Sequence, residues 1–257
     1  MKNLLLIITY SLILTSISLP QGTAGDKAKF EYNYLIDMPV AGVLEKGFVG
    51  AASDIMRSGV MIAYLDVGVF DNLSFGISYG GANIIGTSAI DWYKWPGINV
   101  RARILNETTT FPALTLGFDS QGKVEYFDDQ NHRYAIKSPG FFAAASKNFA
   151  LWGFLALHAT GNYSLENSDG DNFVNLMVGL EKTVGSQVSL ILEYNFALND
   201  NNGDFGTGKG YLNAGLRWSV GSGFTLEFDL RDLLKNSSIN TSSADRALRI
   251  EYIQAIF

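Results

Sequence analysis

"YLNAGLRWSVGSGFTLEFDL" occupies residues 211–230. On either side of the break at Gly221, Ser222 and Gly223, every second residue is apolar. These are Leu212, Ala214, Leu216, Trp218 and Val220, then Phe224, Leu226, Phe228 and Leu230. The residues between them are polar or small: Asn213, Gly215, Arg217 and Ser219, then Thr225, Glu227 and Asp229. Side chains of a strand alternate between its faces, so the stretch reads as two β-strands, each with one greasy and one wet face. A soluble sandwich turns the greasy face inward, and a membrane barrel turns it outward. The reading of the whole chain depends on which.

The same period recurs through the chain. Residues 187–199 set Val188, Leu190, Leu192, Tyr194, Phe196 and Leu198 against Gln187, Ser189, Glu193 and Asn195. Residues 173–181, 98–104, 112–119 and 73–80 alternate likewise, and 47–56, 60–69, 139–147 and 151–163 do so less cleanly. A last strand is expected over about 246–257. That makes twelve strands and no amphipathic helix, which argues against a parallel βαβ architecture. After a short first connection, long and short connections alternate strictly: 84–97, 120–138, 164–172, 199–209 and 233–245 are separated by turns such as "KNFA", "TVGSQ" and "GSG". A transmembrane barrel explains this parity, with short periplasmic turns and longer external loops. Gly76, Gly80, Gly117, Gly179 and Gly215 fall on the wet phase, where a strand can bend or take a close neighbour.

Lys2 is followed by "LLLIITYSLILTSISL" and then by Pro20, Gly22 and Ala24. This is the pattern of a secretory signal peptide, residues 1–24, cleaved after Ala24. The remainder divides into a periplasmic lead-in, 25–46, and a barrel, 47–257. The stretch "EYNYLIDMPVAGVLEKG" (31–47) lies outside the hairpins and packs either in the barrel mouth or as an ordered lead-in. After residue 24 no run of 18 apolar residues appears, so membrane insertion falls to strands. A net charge of −6 without a basic block makes nucleic acid a poor partner, and the absence of cysteine excludes disulfides and thiolate metal sites.

Three features point the greasy face outward. Aromatic residues cluster near strand ends on that face: Tyr79, Phe118, Tyr163, Phe196, Trp218 and Phe224. Such rings suit membrane–water interfaces. The wet phase carries both signs of charge on neighbouring strands, as an enclosed lumen allows: Arg101, Arg103, Arg217, Arg231 and Arg249 with Glu181, Glu193, Glu227, Asp229 and Glu251. The chain also ends in Phe257, although the phase of Leu248, Ile250 and Tyr252 continues to Gln254 and Ile256. A bulge near Gln254 would bring Phe257 onto the outer face. The expected fold is an all-β, antiparallel, up-and-down transmembrane barrel of about twelve strands.

The segments "YLIDMPVAGVL", "LSFGISYGGANIIG", "ALTLGFDSQG", "RYAIKSPGFFAAASKNF", "NLMVGLEKTVG" and "GKGYLNAGLRW" resemble bacterial outer-membrane β-barrel proteins of a poorly characterised family. The likeness covers most of residues 31–257. "LIDMP" followed by Ala41 is also weakly similar to the opening of YjbH-like exopolysaccharide-associated barrels. The resemblance implies an integral place in the Gram-negative outer membrane and transfers no catalytic residue.

Twelve-stranded outer-membrane phospholipases place a His two residues before a Ser on the lipid side. Here His158 precedes Thr160 and falls on the wet phase, where a satisfied lumen histidine is the simpler reading. His132 has no metal-ligand partner at recognisable spacing. The loops "NSDGDN" and "NDNNGDFG" hold Asp169, Asp171, Asp200 and Asp204, weak calcium candidates lacking a full EF-hand pattern and equally explained as turn residues. No enzyme activity and no cofactor are implied. The leading expectation is a narrow porin-like channel for small solutes or ions, or an envelope structural barrel whose lumen is closed by its own ion pairs. The alternative is a barrel that binds surface polysaccharide or an envelope protein through its loops, and a lipolytic enzyme comes last. Expected partners are outer-membrane lipid, lipopolysaccharide and the barrel-assembly machinery.

Overall fold

The computed structural model describes residues 22–239 and 244–256. Most of the expected signal peptide, and Phe257, lie outside the described residues. Twelve strands form the wall: β1 (Phe48–Met56), β2 (Val60–Phe70), β3 (Leu73–Ala82), β5 (Gly97–Leu105), β6 (Ala113–Asp119), β9 (Gly140–Ala150), β10 (Phe154–Tyr163), β11 (Asn175–Val184), β12 (Val188–Asn195), β13 (Tyr211–Gly221), β14 (Phe224–Arg231) and β15 (Asp245–Ala255). Three short strands lie in the long connections: β4 (Asp91–Trp92), β7 (Lys123–Phe127) and β8 (Arg133–Ile136).

Each wall strand pairs antiparallel with its neighbours, and β1 pairs with both β2 and β15, which closes the barrel. Closure matters because hydrocarbon offers the backbone no hydrogen-bond partner. β15 pairs with β1 without a register shift from Leu248↔Ile55 to Ala255↔Phe48. No bulge therefore forms at Gln254, which stays exposed with the Tyr252 hydroxyl donating to its Oε1 at 2.9 Å.

The greasy phase faces out. Leu192, Leu190, Leu176 and Phe228 are 41, 49, 48 and 53% exposed, while Arg101, Glu193 and Arg217 on the other phase are 0, 0 and 2% exposed. A water-soluble domain does the reverse.

Long connections gather at one rim, which is external by the length rule, and short turns at the periplasmic rim. The expected loop 120–138 is not plain loop: β7 and β8 form a hairpin within it. Val124, Tyr134 and Ala135 pack with Met56, Val60 and Ile62, inward-facing residues of β1 and β2 and the connection between them. The hairpin folds into the external mouth because that stretch of inner wall is apolar.

Charging the outer face mid-barrel tests this arrangement. Leu192→Arg should lower unfolding stability in phospholipid vesicles by about 2–4 kcal/mol, read by urea titration. An unchanged midpoint would contradict a lipid-facing position.

Candidate functional site

The lead-in does not stop at the periplasmic mouth. It runs up the lumen, turns and runs back. The Gly22 amide donates to Ser219 Oγ at 2.7 Å and the Gly25 amide to Ser189 Oγ at 3.3 Å, both near the periplasmic rim. At the far end a tight turn forms, in which the Leu35 amide donates to the Met38 carbonyl at 2.9 Å and the Val40 amide to the Asn33 carbonyl at 3.0 Å. The chain then descends until the Gly47 amide meets the Gly68 carbonyl at 3.2 Å and β1 begins. Residues 22–46 are thus a plug.

The plug tip is held by charge and by packing. Glu193 accepts the consecutive backbone amides of Ile36, Asp37 and Met38, each at 2.9–3.0 Å to Oε2, and the side-chain Nδ2 of Asn213 donates to its Oε1 at 2.9 Å. Hydrogen bonds to a charged acceptor are short and strong, and three parallel N–H groups form a concave anion seat. Asp37 pairs with Arg231 of β14 at 3.0 Å and with Lys123 of β7 at 3.0 Å. Leu35, Ile36, Met38 and Val40 pack with Met177 and Ile191 of the wall. A Cβ on Gly179 would overlap the Leu35 side chain, so this wall glycine makes room for the tip.

Lower down, Arg217 donates to the Leu35 carbonyl at 2.8 Å, lies 4.3 Å from the Tyr32 ring centre, and pairs with Glu227 and with Glu181 at 3.2 Å. Arg103 pairs with Glu31 and donates to the Ala41 carbonyl. Arg101 donates to the Val40 carbonyl at 3.1 Å and sits between the rings of Tyr34 and Phe142. Arg249 pairs with Asp54 at 2.8 Å and Glu251 at 3.2 Å.

The residues expected to form a lumen charge network face inward. Some pair wall to wall, Arg217 with Glu181 and Glu227 and Arg249 with Glu251, and others turn to the plug. Arg101, Arg103 and Arg231 are engaged by plug atoms, Glu193 by plug amides, and Asp229 Oδ1 has no partner among the described residues. Asp37, Asp54 and Lys123 belong to the network and carried no strong signal. Asp54 lies in β1, whose sequence alternates less cleanly than the later strands, and the other two lie in segments outside the wall.

His158 faces the lumen, hydrogen-bonded to Tyr32 Oη at 2.9 Å and Ser146 Oγ at 2.8 Å, and the Thr160 hydroxyl donates to the Pro39 carbonyl at 2.5 Å. Both serve to hold the plug. The aromatic residues Tyr79, Phe118, Tyr163 and Phe196 stand on the outer face toward the external rim, with Trp218 and Phe224 toward the periplasmic one.

The four calcium candidates do not converge. Arg133 binds Asp169 at 2.6 Å and Asp200 at 2.7 Å, and Lys137 reaches Asp169 at 2.8 Å, so cationic side chains take those carboxylates. Asp171 accepts the Asn201 and Asn202 amides, and Asp204 is exposed. Burial works to raise the Asp169 pKa, but hydrogen bonds from Lys137 and Arg133 prevail and hold its carboxyl below the usual range. Glu166, half-buried in the same loop, is pushed up by its desolvation despite accepting the backbone amides of Tyr134 and Ser138. These contacts fasten the external hairpin to loops 164–174 and 196–210.

Cavities lie on either side of the plug tip. One of about 300 Å³ lies beside the lower half of the plug, beneath its tip, lined by Asp26, Tyr32, Arg103, Ser146, His158 and Glu181. One of about 70 Å³ lies above it, between Asp37, Asn175, Asn213, Tyr211 and Arg231. They share no lining residue.

A closed antiparallel wall, an apolar exterior and an enclosed ionic interior define a transmembrane β-barrel of the outer-membrane type. No protein-family model and no curated protein sequence matches the chain. Among solved structures it is similar to the KdgM porin, with 8% identity and a TM-score of 0.50 over 82% of this chain and 99% of that one. It is also similar to the KdgM porin in complex with disordered oligogalacturonate (9%, TM-score 0.48, 80% and 98%) and to the NanC porin (9%, 0.45, 81% and 100%). At these identities the likeness concerns the fold, a twelve-stranded barrel, which the first of them supports.

Glu193→Ala would leave three amides without their acceptor. Each charge-assisted bond is worth roughly 1.5–3 kcal/mol. Hydrogen exchange at Ile36, Asp37 and Met38 should accelerate at least tenfold, by about 1.4 kcal/mol or more. Undiminished protection would contradict the anchoring role.

Proposed function

We propose that the chain is an integral outer-membrane barrel of porin-like character, a narrow conduit for small solutes or ions, and that residues 22–46 occlude its lumen in the conformation described. The observation that carries this is the wall behind the plug. It carries polar side chains at every level, Ser189, Ser219 and Thr225 near the periplasmic rim, Thr115, Ser146 and His158 in the middle, Asn175 and Asn213 toward the outside, and its apolar patches are the seats of the plug tip and the external hairpin. Withdrawing the plug would expose a hydrophilic bore that water can solvate. A barrel filled only for rigidity gains more from apolar packing than from desolvated charges. With twelve strands the bore is intermediate between a filled eight-stranded barrel and a wide sixteen-stranded pore.

On this reading the leader is cleaved after Ala24, residues 25–46 of the plug are the mature amino-terminal segment and keep the Gly25 contact with Ser189, and no catalytic role is assigned to His158. The apolar belt contacts lipid and lipopolysaccharide, and assembly falls to the barrel-assembly machinery.

Planar-bilayer recording tests the proposal. The wild-type chain should give rare, small steps. The double variant Asp37→Asn/Glu193→Gln, with a weakened plug seat, should increase open time at least tenfold, for a loss of about 1.4 kcal/mol of seating energy. Silence from both proteins overturns the channel reading.

A further inference from the structure

Lys123 stands between the two hairpins that enter the lumen. It belongs to β7, in an external connection, yet its Nζ donates to the Ile36 carbonyl at the plug tip at 2.7 Å. It also lies 3.0 Å from Asp37 of the plug and 3.7 Å from Asp54 of β1. Neither carboxylate needs it for neutralisation, because Asp37 already holds Arg231 at 3.0 Å and Asp54 holds Arg249 at 2.8 Å. What the buried ammonium adds is a connection between two segments that otherwise enter from opposite ends.

The next residue gives a second, independent sign. Val124 is fully buried and has φ +68°, in the left-handed region that a β-branched residue strongly disfavours. The β7–β8 register is irregular between Lys123 and Tyr126. Strained positions of this kind persist only where their surroundings hold them, and they mark elements built to switch. Here the restraints are the Tyr93 hydroxyl, which donates to the Val124 carbonyl at 2.5 Å, and the external clamp of Arg133 on Asp169 and Asp200.

We propose that Lys123 is a latch that couples the external hairpin to the plug, so that loosening the hairpin on the outside loosens the plug within. Releasing the Arg133 clamp lets the hairpin relax its strain, carries Lys123 away from Asp37 and the Ile36 carbonyl, and leaves the tip to its contacts with the wall. The coupling is a property of the two hairpins. Its meaning as channel regulation rests on the reading of the barrel as a conduit.

The chain has no cysteine, so a single Met38→Cys reports exposure of the buried tip to a membrane-impermeant maleimide. The full folded chain in detergent is compared with and without Arg133→Ala, in the Lys123 and the Lys123→Met backgrounds. Arg133→Ala should accelerate labelling at least fivefold with Lys123 present, at the low end of coupling between linked sites. It should have no effect with Lys123→Met. Equal acceleration in both backgrounds, or none in either, overturns the latch. Should Arg133→Ala fail to fold, judged by heat-modifiable gel mobility, Asp169→Asn loosens the same clamp and the same outcomes apply. Bilayer recordings of the same proteins separate the two readings. Coupled labelling with silent bilayers removes the channel and keeps the latch. Steps without coupled labelling do the opposite.

Discussion

A strand crossing hydrocarbon must find every backbone hydrogen-bond partner in another strand, and the last strand must find the first. The pairing of β1 with β15 meets this demand. Alternation does the rest, because a wall whose outer residues face lipid sends every other residue inward. The inner surface is therefore polar and charged, and it must be solvated by water or satisfied by protein. In this chain protein does much of that work. Glu193 accepts three amides of the plug, Arg231 pairs with Asp37 through its Nε, and Arg103 meets Glu31 and the Ala41 carbonyl.

Two segments share the task, and each has its own apolar seat. Leu35, Ile36 and Met38 rest on Met177 and Ile191, while Val124 and Tyr134 rest on Met56, Val60 and Ile62. Burial of these side chains offsets the cost of enclosing charge. The larger cavity lies beneath the plug tip and a smaller one above it, and the tip with its surrounding arginines forms the layer between them. A passage through the barrel would have to move that layer.

The wall was legible because its rule is simple and repeated. Along β13 and β14 the alternation is unbroken and along β12 it breaks only at Ile191, and the predicted spans differ from the observed ones by a few residues. The interior was legible only in part. Alternation identifies which charges turn inward but not what they meet. Arg231 and Glu193 look like wall partners in the sequence, yet both are claimed by residues 36–38, whose role depends on a fold-back that no local pattern encodes. The external hairpin was hidden for a related reason. "KVEYF" and "RYAI" (123–127 and 133–136) become strands by packing on Met56, Val60 and Ile62, inward positions where a lumen is expected to be polar. The aspartates of the external loops gave a pattern suited to a cation, and the cations that answer it are Arg133 and Lys137, distant in sequence.

The central claim is that a hairpin of the chain's own amino-terminal segment fills the lumen. Hydroxyl-radical footprinting of the unmodified protein in lipid nanodiscs addresses it without any substitution. Met38 at the plug tip and Met177 on the wall beside it are 0 and 7% exposed, against 72% for Trp95 at the external rim. The account predicts that both methionines stay unoxidised while Trp95 reacts, and that they react only after unfolding. Oxidation of Met38 and Met177 in the folded protein at rates like that of Trp95 would mean an open, water-filled bore and would contradict it.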